Sequence, residues 1–138
     1  MNVSYINEKL TYPINSMGYR DIEFDDINWS DTYVMQGCSF VCGVAVPENS
    51  STLPSILSAK INKKVINLGV LGSSIPFQYM NAIHMIENNI IPKGIFILYP
   101  SPERFLSFHS RGRILQYGPN FAYNAVDDKN NTARLSRA

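Results

Sequence analysis

Cysteine is scarce in this chain. Cys38 and Cys42 are the only two among 138 residues. One pair four apart makes neither a disulfide framework nor a zinc site, so both thiols read as reduced, partly buried groups that pack as small apolar side chains. Charge is also sparse, at 17% of residues, and balanced: twelve Lys+Arg against eleven Asp+Glu leave a net +1. That balance excludes a basic footprint for nucleic acid or an anionic membrane surface. No apolar run reaches the length of a membrane span. The opening Met1-Asn2-Val3-Ser4-Tyr5-Ile6-Asn7-Glu8-Lys9 lacks the basic start and apolar centre of a signal peptide, so the expected location is the cytoplasm. The glycine loops lack the Gly-Lys-Ser/Thr ending of a phosphate-binding loop, and Gly69-Val70-Leu71-Gly72 lacks the G-x-G start of a dinucleotide site. The two histidines, His84 and His109, have no carboxylate set in the neighbouring sequence. Neither a metal nor a cofactor is therefore expected.

What is present is enough for one domain with its own core. Residues 1–30 are polar and aromatic without clear periodicity and read as an extended or irregular lead-in. Thr-Tyr-Val-Met-Gln at 32–36 is strand-like and ends at Gly37. Ser51, Thr52 and Pro54 then carry helix-start chemistry, and Leu53, Ile56, Leu57 and Ile61 fall on one helical face. A second strand is expected at 64–68, ahead of Gly69 and Gly72. Tyr79, Ile83, Ile86 and Ile90 predict an amphipathic helix whose apolar stripe is core, stopped by Pro92. The apolar run 94–99 reads as a strand covered on both faces. Strand, helix, strand, helix, strand implies right-handed crossovers and an α/β fold: a parallel sheet sandwiched between helices, flavodoxin-like and three-layered. The α/β domain is placed at 31–125 and a polar tail at 126–138.

In open parallel sheets functional groups collect beyond the carboxyl ends of the strands. Loops 37–43, 69–74 and 100–104 are expected there. The first contains Ser39, at a strand-to-helix turn where backbone N–H groups converge. A serine so placed can attack an acyl carbonyl while those donors hold the oxyanion. It can equally be a simple helix N-cap, and Gly69 and Gly72 can serve only a tight turn. The α/β-hydrolase elbow is not favoured, because the second residue after Ser39 is Val41 rather than glycine.

Gly37-Cys38-Ser39-Phe40-Val41-Cys42-Gly43-Val44 resembles the nucleophile block of the SGNH (GDSL-type) hydrolases, with cysteine where most members carry aspartate, as in one branch of the family. Val65-Ile66-Asn67-Leu68-Gly69-Val70-Leu71-Gly72-Ser73-Ser74 is similar to the second block, and Asn15-Ser16-Met17-Gly18-Tyr19-Arg20-Asp21 to the segment that often precedes the nucleophile. The likeness spans residues 13–105. It implies that Ser39 is the nucleophile, with the N–H groups of Ser39 and Gly72 as oxyanion donors. Two family features are missing. Pro102 stands near the place of the oxyanion-hole asparagine, with Ser101 or Arg104 as substitutes, and no Asp-x-x-His follows.

His109 is therefore the candidate base, in an atypical dyad, and Ser73, Ser101 and Arg104 are the candidate substrate-binding residues. The resemblance also implies an incomplete or truncated form of the fold. Two functions follow as expectations: hydrolysis of a small ester or acylated glycan, or a non-catalytic binding module. An open sheet edge would suit a homo-oligomer.

Overall fold

The computed structural model describes residues 2–5, 8–25, 27–109 and 113–117, with side chains over 10–25 and 27–108. The lead-in opens as an antiparallel hairpin of β1 (Asn2–Tyr5) and β2 (Glu8–Thr11). The irregular segment after it is built into the domain, because Tyr12, Asn15 and Arg20 are buried.

The expected strands form a three-stranded parallel sheet: β3 (Tyr33–Gly37), β4 (Val65–Gly69) and β5 (Gly94–Ile97), in the order β4-β3-β5. Val34 lies opposite both Ile66 and Ile95, and Gly37 opposite Gly69. The helices are α1 (Ser39–Cys42) and α2 (Leu53–Ile61), between β3 and β4, and α3 (Ile75–Glu87), between β4 and β5. The chain passes from β3 to β4 on one side and then crosses to β5 on the other. Right-handed crossovers in opposite directions put their helices on opposite faces of a sheet. Met85 of α3 packs with Val34, Ile66 and Leu68 on one face. Alternation places Gly37 and Gly69 on the other, against α1. The order of elements and the mixed α/β class are those expected from sequence. An antiparallel hairpin of β6 (Phe105–His109) and β7 (Arg113–Tyr117) follows, where sequence alone indicated no element. The proposed tail, 126–138, lies outside the described residues, as do 118–125 at the end of the assigned domain. No helix among the described residues is long and apolar enough to cross a membrane.

Two burial expectations are corrected. All five residues of β4 are buried, but β5 is not covered on both faces: Ile95, Phe96, Ile97 and Leu98 are each 36–42% exposed. Helix α3 lies the other way round from its pattern. Its buried residues are Phe77, Gln78, Asn81 and Met85, whereas Tyr79, Ile83 and Ile86 are exposed. Gln78 and Asn81 thus face the same side of the sheet as Gln36, which shares the face of Val34. Both side-chain polar atoms of Gln36 and of Gln78, and Nδ2 of Asn81, have no hydrogen-bond partner among the described residues. Asn81 Oδ1 accepts from the Tyr19 hydroxyl at 3.3 Å. On α2, Leu53, Ile56 and Ile61 are likewise exposed.

The outer edge of β4 is closed by a carboxylate. Asp21 Oδ2 accepts from the Asn67 N–H at 2.6 Å, and its Oδ1 accepts from the Ile22 N–H at 2.7 Å. Burial pushes the Asp21 carboxyl up from its ordinary value, opposed by these hydrogen bonds and by Lys64. The folded chain then holds this proton more tightly than the unfolded chain does. The resulting stabilisation is complete below the unfolded pKa and is lost as pH rises through the higher folded one. Asp21→Asn keeps an acceptor for Asn67 and removes that slope. Urea midpoints from about pH 3 to about pH 7 should coincide at the acid end and favour Asp21→Asn near neutrality. A variant less stable than wild type at neutral pH would overturn this account of the edge.

Candidate functional site

Ser39 is the first residue of α1, immediately beyond the carboxyl end of the central strand. The N-cap is Cys38, not Ser39, with φ −91° and ψ −149°, so the serine hydroxyl is not occupied in capping. Ser39 is partly exposed, and its Oγ lies 4.0 Å from Cys38 Sγ. The short helix closes with Cys42 N–H donating to Cys38 O and Gly43 N–H to Ser39 O, both at 3.0 Å. Gly43 adopts φ +77°, a left-handed helix end suited to glycine.

Glycines bring this turn down onto the sheet. A Cβ on Gly69 would lie 2.2 Å from Cys42 N, and one on Gly37 would lie 2.4 Å from Val41 Cγ2. Val70 N–H donates to Gly37 O at 3.1 Å, joining the first two loops, and Leu98 N–H donates to Gln36 O at 2.9 Å. Arg104 Nη1 donates to Ser73 O at 3.4 Å, bringing the third loop to the second. The three loops therefore meet at one end of the sheet, as its parallel topology requires.

Gly72 has φ +70°, and a Cβ there would meet nothing within 4 Å. Its need for glycine is conformational and does not come from crowding at its own Cβ, and the space beside it is open. Ser73 is buried, and its hydroxyl donates to the Ser74 carbonyl at 3.4 Å. The Ser101 hydroxyl donates to the Glu103 carboxylate. His84 is exposed on α3, beside Asn88, with Nδ1 3.3 Å from Asn88 Nδ2. His109 ends β6 opposite Arg113, and its side chain lies outside the described residues. Both cysteines are free and buried, and burial pushes the Cys42 thiol up, against the pull of Arg20. Among the described residues no three His, Cys, Asp or Glu side chains gather as for a metal ion. A cavity of about 400 Å3 lies at the other end of β4, lined by Asp21, Ser55, Ser58, Lys64 and Val65 among others.

Sequence reasoning missed the clamp behind the turn. Arg20 is buried, with Nη1 donating to Gly43 O at 2.6 Å, Nη2 to Val46 O at 2.8 Å and Nε to Asn49 Oδ1 at 2.8 Å. Its guanidinium lies 4.0 Å above the Tyr12 ring, whose hydroxyl accepts from Ala45 N–H at 2.8 Å. Together these two side chains hold the backbone that leaves α1. Burial lowers the arginine's pKa, opposed by Tyr12 and Cys42.

No family model, curated protein or solved structure matches the chain.

Proposed function

We propose that the chain is the nucleophile-bearing portion of a three-layer α/β/α, SGNH-type serine hydrolase, acting in the cytoplasm on a small ester or acylated glycan. The observation that carries this reading is the position of Ser39, uncapped and partly exposed, one residue into a helix at the carboxyl end of the central strand. The strand order reverses there, where open parallel sheets bind ligands.

Ser39 Oγ attacks the acyl carbonyl as its proton passes to a base, for which His109 is the candidate. The N–H groups of Ser39 and Gly72 receive the oxyanion. Collapse of the tetrahedral adduct expels the alcohol, which takes the proton from the base. A water, deprotonated by the same base, then attacks the acyl-serine and releases the acid and the free hydroxyl. Ser101 and Arg104, on the adjoining loop, are the candidates for orienting the substrate in this reading.

Treatment with a fluorophosphonate and intact-mass analysis tests this directly. Wild type should gain one adduct and Ser39→Ala none, while His109→Ala should label on the order of a hundredfold or more slowly. A folded wild-type chain that gains no adduct sinks the hydrolase reading. The exposed faces of β5, a strand at the sheet edge, favour a second reading, a non-catalytic module that pairs with a partner or a second copy along that edge.

A further inference from the structure

We propose that the cavity beside the outer edge of β4 binds a free α-amino acid, held by its ammonium and carboxylate groups. Tyr33 N–H donates to Lys64 O at the start of the ladder, and Val70 N–H to Gly37 O at its end. The even-numbered residues of β4 thus pair with β3, and Val65, Asn67 and Gly69 turn their backbone groups outward. Asn67 N–H is taken by Asp21, and Gly69 N–H by the side chain of Asn67. Val65 is different. It is 6% exposed, yet neither its N–H nor its C=O has a partner among the described residues. Buried backbone groups are rarely left so. Val65 lines the cavity of about 400 Å3 together with Asp21, which sits on the same edge.

The order of charges along this edge selects the ligand. Lys64 precedes the Val65 N–H, and the Val65 C=O is followed by the Asp21 carboxylate seated on Asn67. Lys64 also lines the cavity and makes no ion pair among the described residues. Burial raises the Asp21 pKa, and Lys64 is close enough to oppose the rise. Two residues facing each other in an antiparallel pair can exchange both N–H···O bonds. An α-amino acid does the same with Val65. Its ammonium donates to Val65 C=O and to Asp21, while its carboxylate accepts from Val65 N–H and Lys64. Each end gains a charge-assisted bond that a neutral strand does not make. Asp21 has room for it, because a carboxylate offers about four acceptor positions and its bonds to Ile22 and Asn67 leave others open. Ser55 and Ser58 of α2 line the same space, so the hydroxyls there suit an uncharged, hydrogen-bonding side chain such as a carboxamide. This site lies at the opposite end of β4 from the loop bearing Gly72 and does not depend on Ser39 being reactive.

Titration of the full chain with L-asparagine, followed by amide NMR shifts, should saturate with a Kd of about 0.1–1 mM and move the Val65 amide. N-acetyl-L-asparagine lacks the ammonium and L-asparagine amide lacks the carboxylate, so each should bind wild type at least about tenfold more weakly. Asp21→Asn keeps an acceptor for Asn67, and Lys64→Gln changes an exposed side chain, so both variants should fold. Each should lose at least about tenfold in affinity for L-asparagine. Asp21→Asn should lose nothing further for the N-acetyl compound, nor Lys64→Gln for the amide, whereas a general disturbance of the cavity would weaken both. No saturable shift in wild type up to about 10 mM overturns the proposal. Analogues that bind as tightly as the free amino acid do so too, and would assign the edge to a peptide strand. Variants that keep full affinity for L-asparagine overturn it equally.

Discussion

Arg20→Met should destabilise the fold by at least about 3 kcal/mol, the larger part of which Arg20→Lys should fail to recover. The buried guanidinium is forked between acceptors on separate parts of the chain: the carbonyls of Gly43, Val46 and, at 3.4 Å, Pro47, and the side chain of Asn49. Hydrogen bonds to a charged donor contribute about 1.5–3 kcal/mol each, and acceptors left unsatisfied in a buried site add their own desolvation cost. Methionine fills much of the space over Tyr12 but donates nothing. Lysine supplies charge at a single point, whereas these acceptors are reached by three different nitrogens. Guanidinium denaturation should show the loss, and the melting temperature should fall by roughly 10 °C for a domain of this size. A loss below about 1 kcal/mol would mean that water serves these carbonyls as well as Arg20 does. Loop 43–47 anchors the far end of α1, so fluorophosphonate labelling of Ser39 should slow as well.

The elements that such local patterns encode were legible in the sequence. Gly37 and Gly69 end strands where they were expected to, and Thr52 with Pro54 begins α2. The parallel order followed from the alternation of elements, and with it the meeting of loops 37–43, 69–74 and 100–104. Which way an element faces was not legible. The stripe of α3 has a strong period, but period does not say whether the apolar side meets this chain or something else; the structure turns Gln78 and Asn81 inward. The apolar run of β5 was misleading for the same reason, since an uncovered strand and a doubly covered one can share a composition. Arg20 was invisible because its acceptors lie 23–29 positions away and are mostly backbone carbonyls, which every residue carries. Within the site, the turn around Ser39 was readable from its glycines, but the burial of Ser73 depends on packing that no spacing encodes.

Gly69→Ala should be among the most damaging single-methyl changes in the domain, costing about 3 kcal/mol or more, while Gly72→Ala, three residues on, should cost only about 1–2 kcal/mol. The two glycines are needed for different reasons. At Gly72 the added carbon meets nothing within 4 Å, and the penalty is the left-handed φ of +70°. At Gly69 it would lie 2.2 Å from Cys42 N, 2.7 Å from Val41 C and 2.9 Å from Cys42 Cα. All three atoms are α1 backbone, so no side-chain rotation relieves the overlap. Either α1 lifts from β4 or the strand bends. Because α1 begins at Ser39, lifting it displaces the serine from the loop bearing Gly72, on which the proposed oxyanion site depends. Gly37→Ala offers the contrast, since its nearest neighbour is a side-chain methyl of Val41 at 2.4 Å. Adding Val41→Ala should recover part of the loss there and none of it at Gly69. Denaturation midpoints for the three alanine variants, with and without Val41→Ala, separate clash from conformational strain. If Gly69→Ala kept wild-type stability, α1 would not rest on β4, and the geometry that presents Ser39 would need another support.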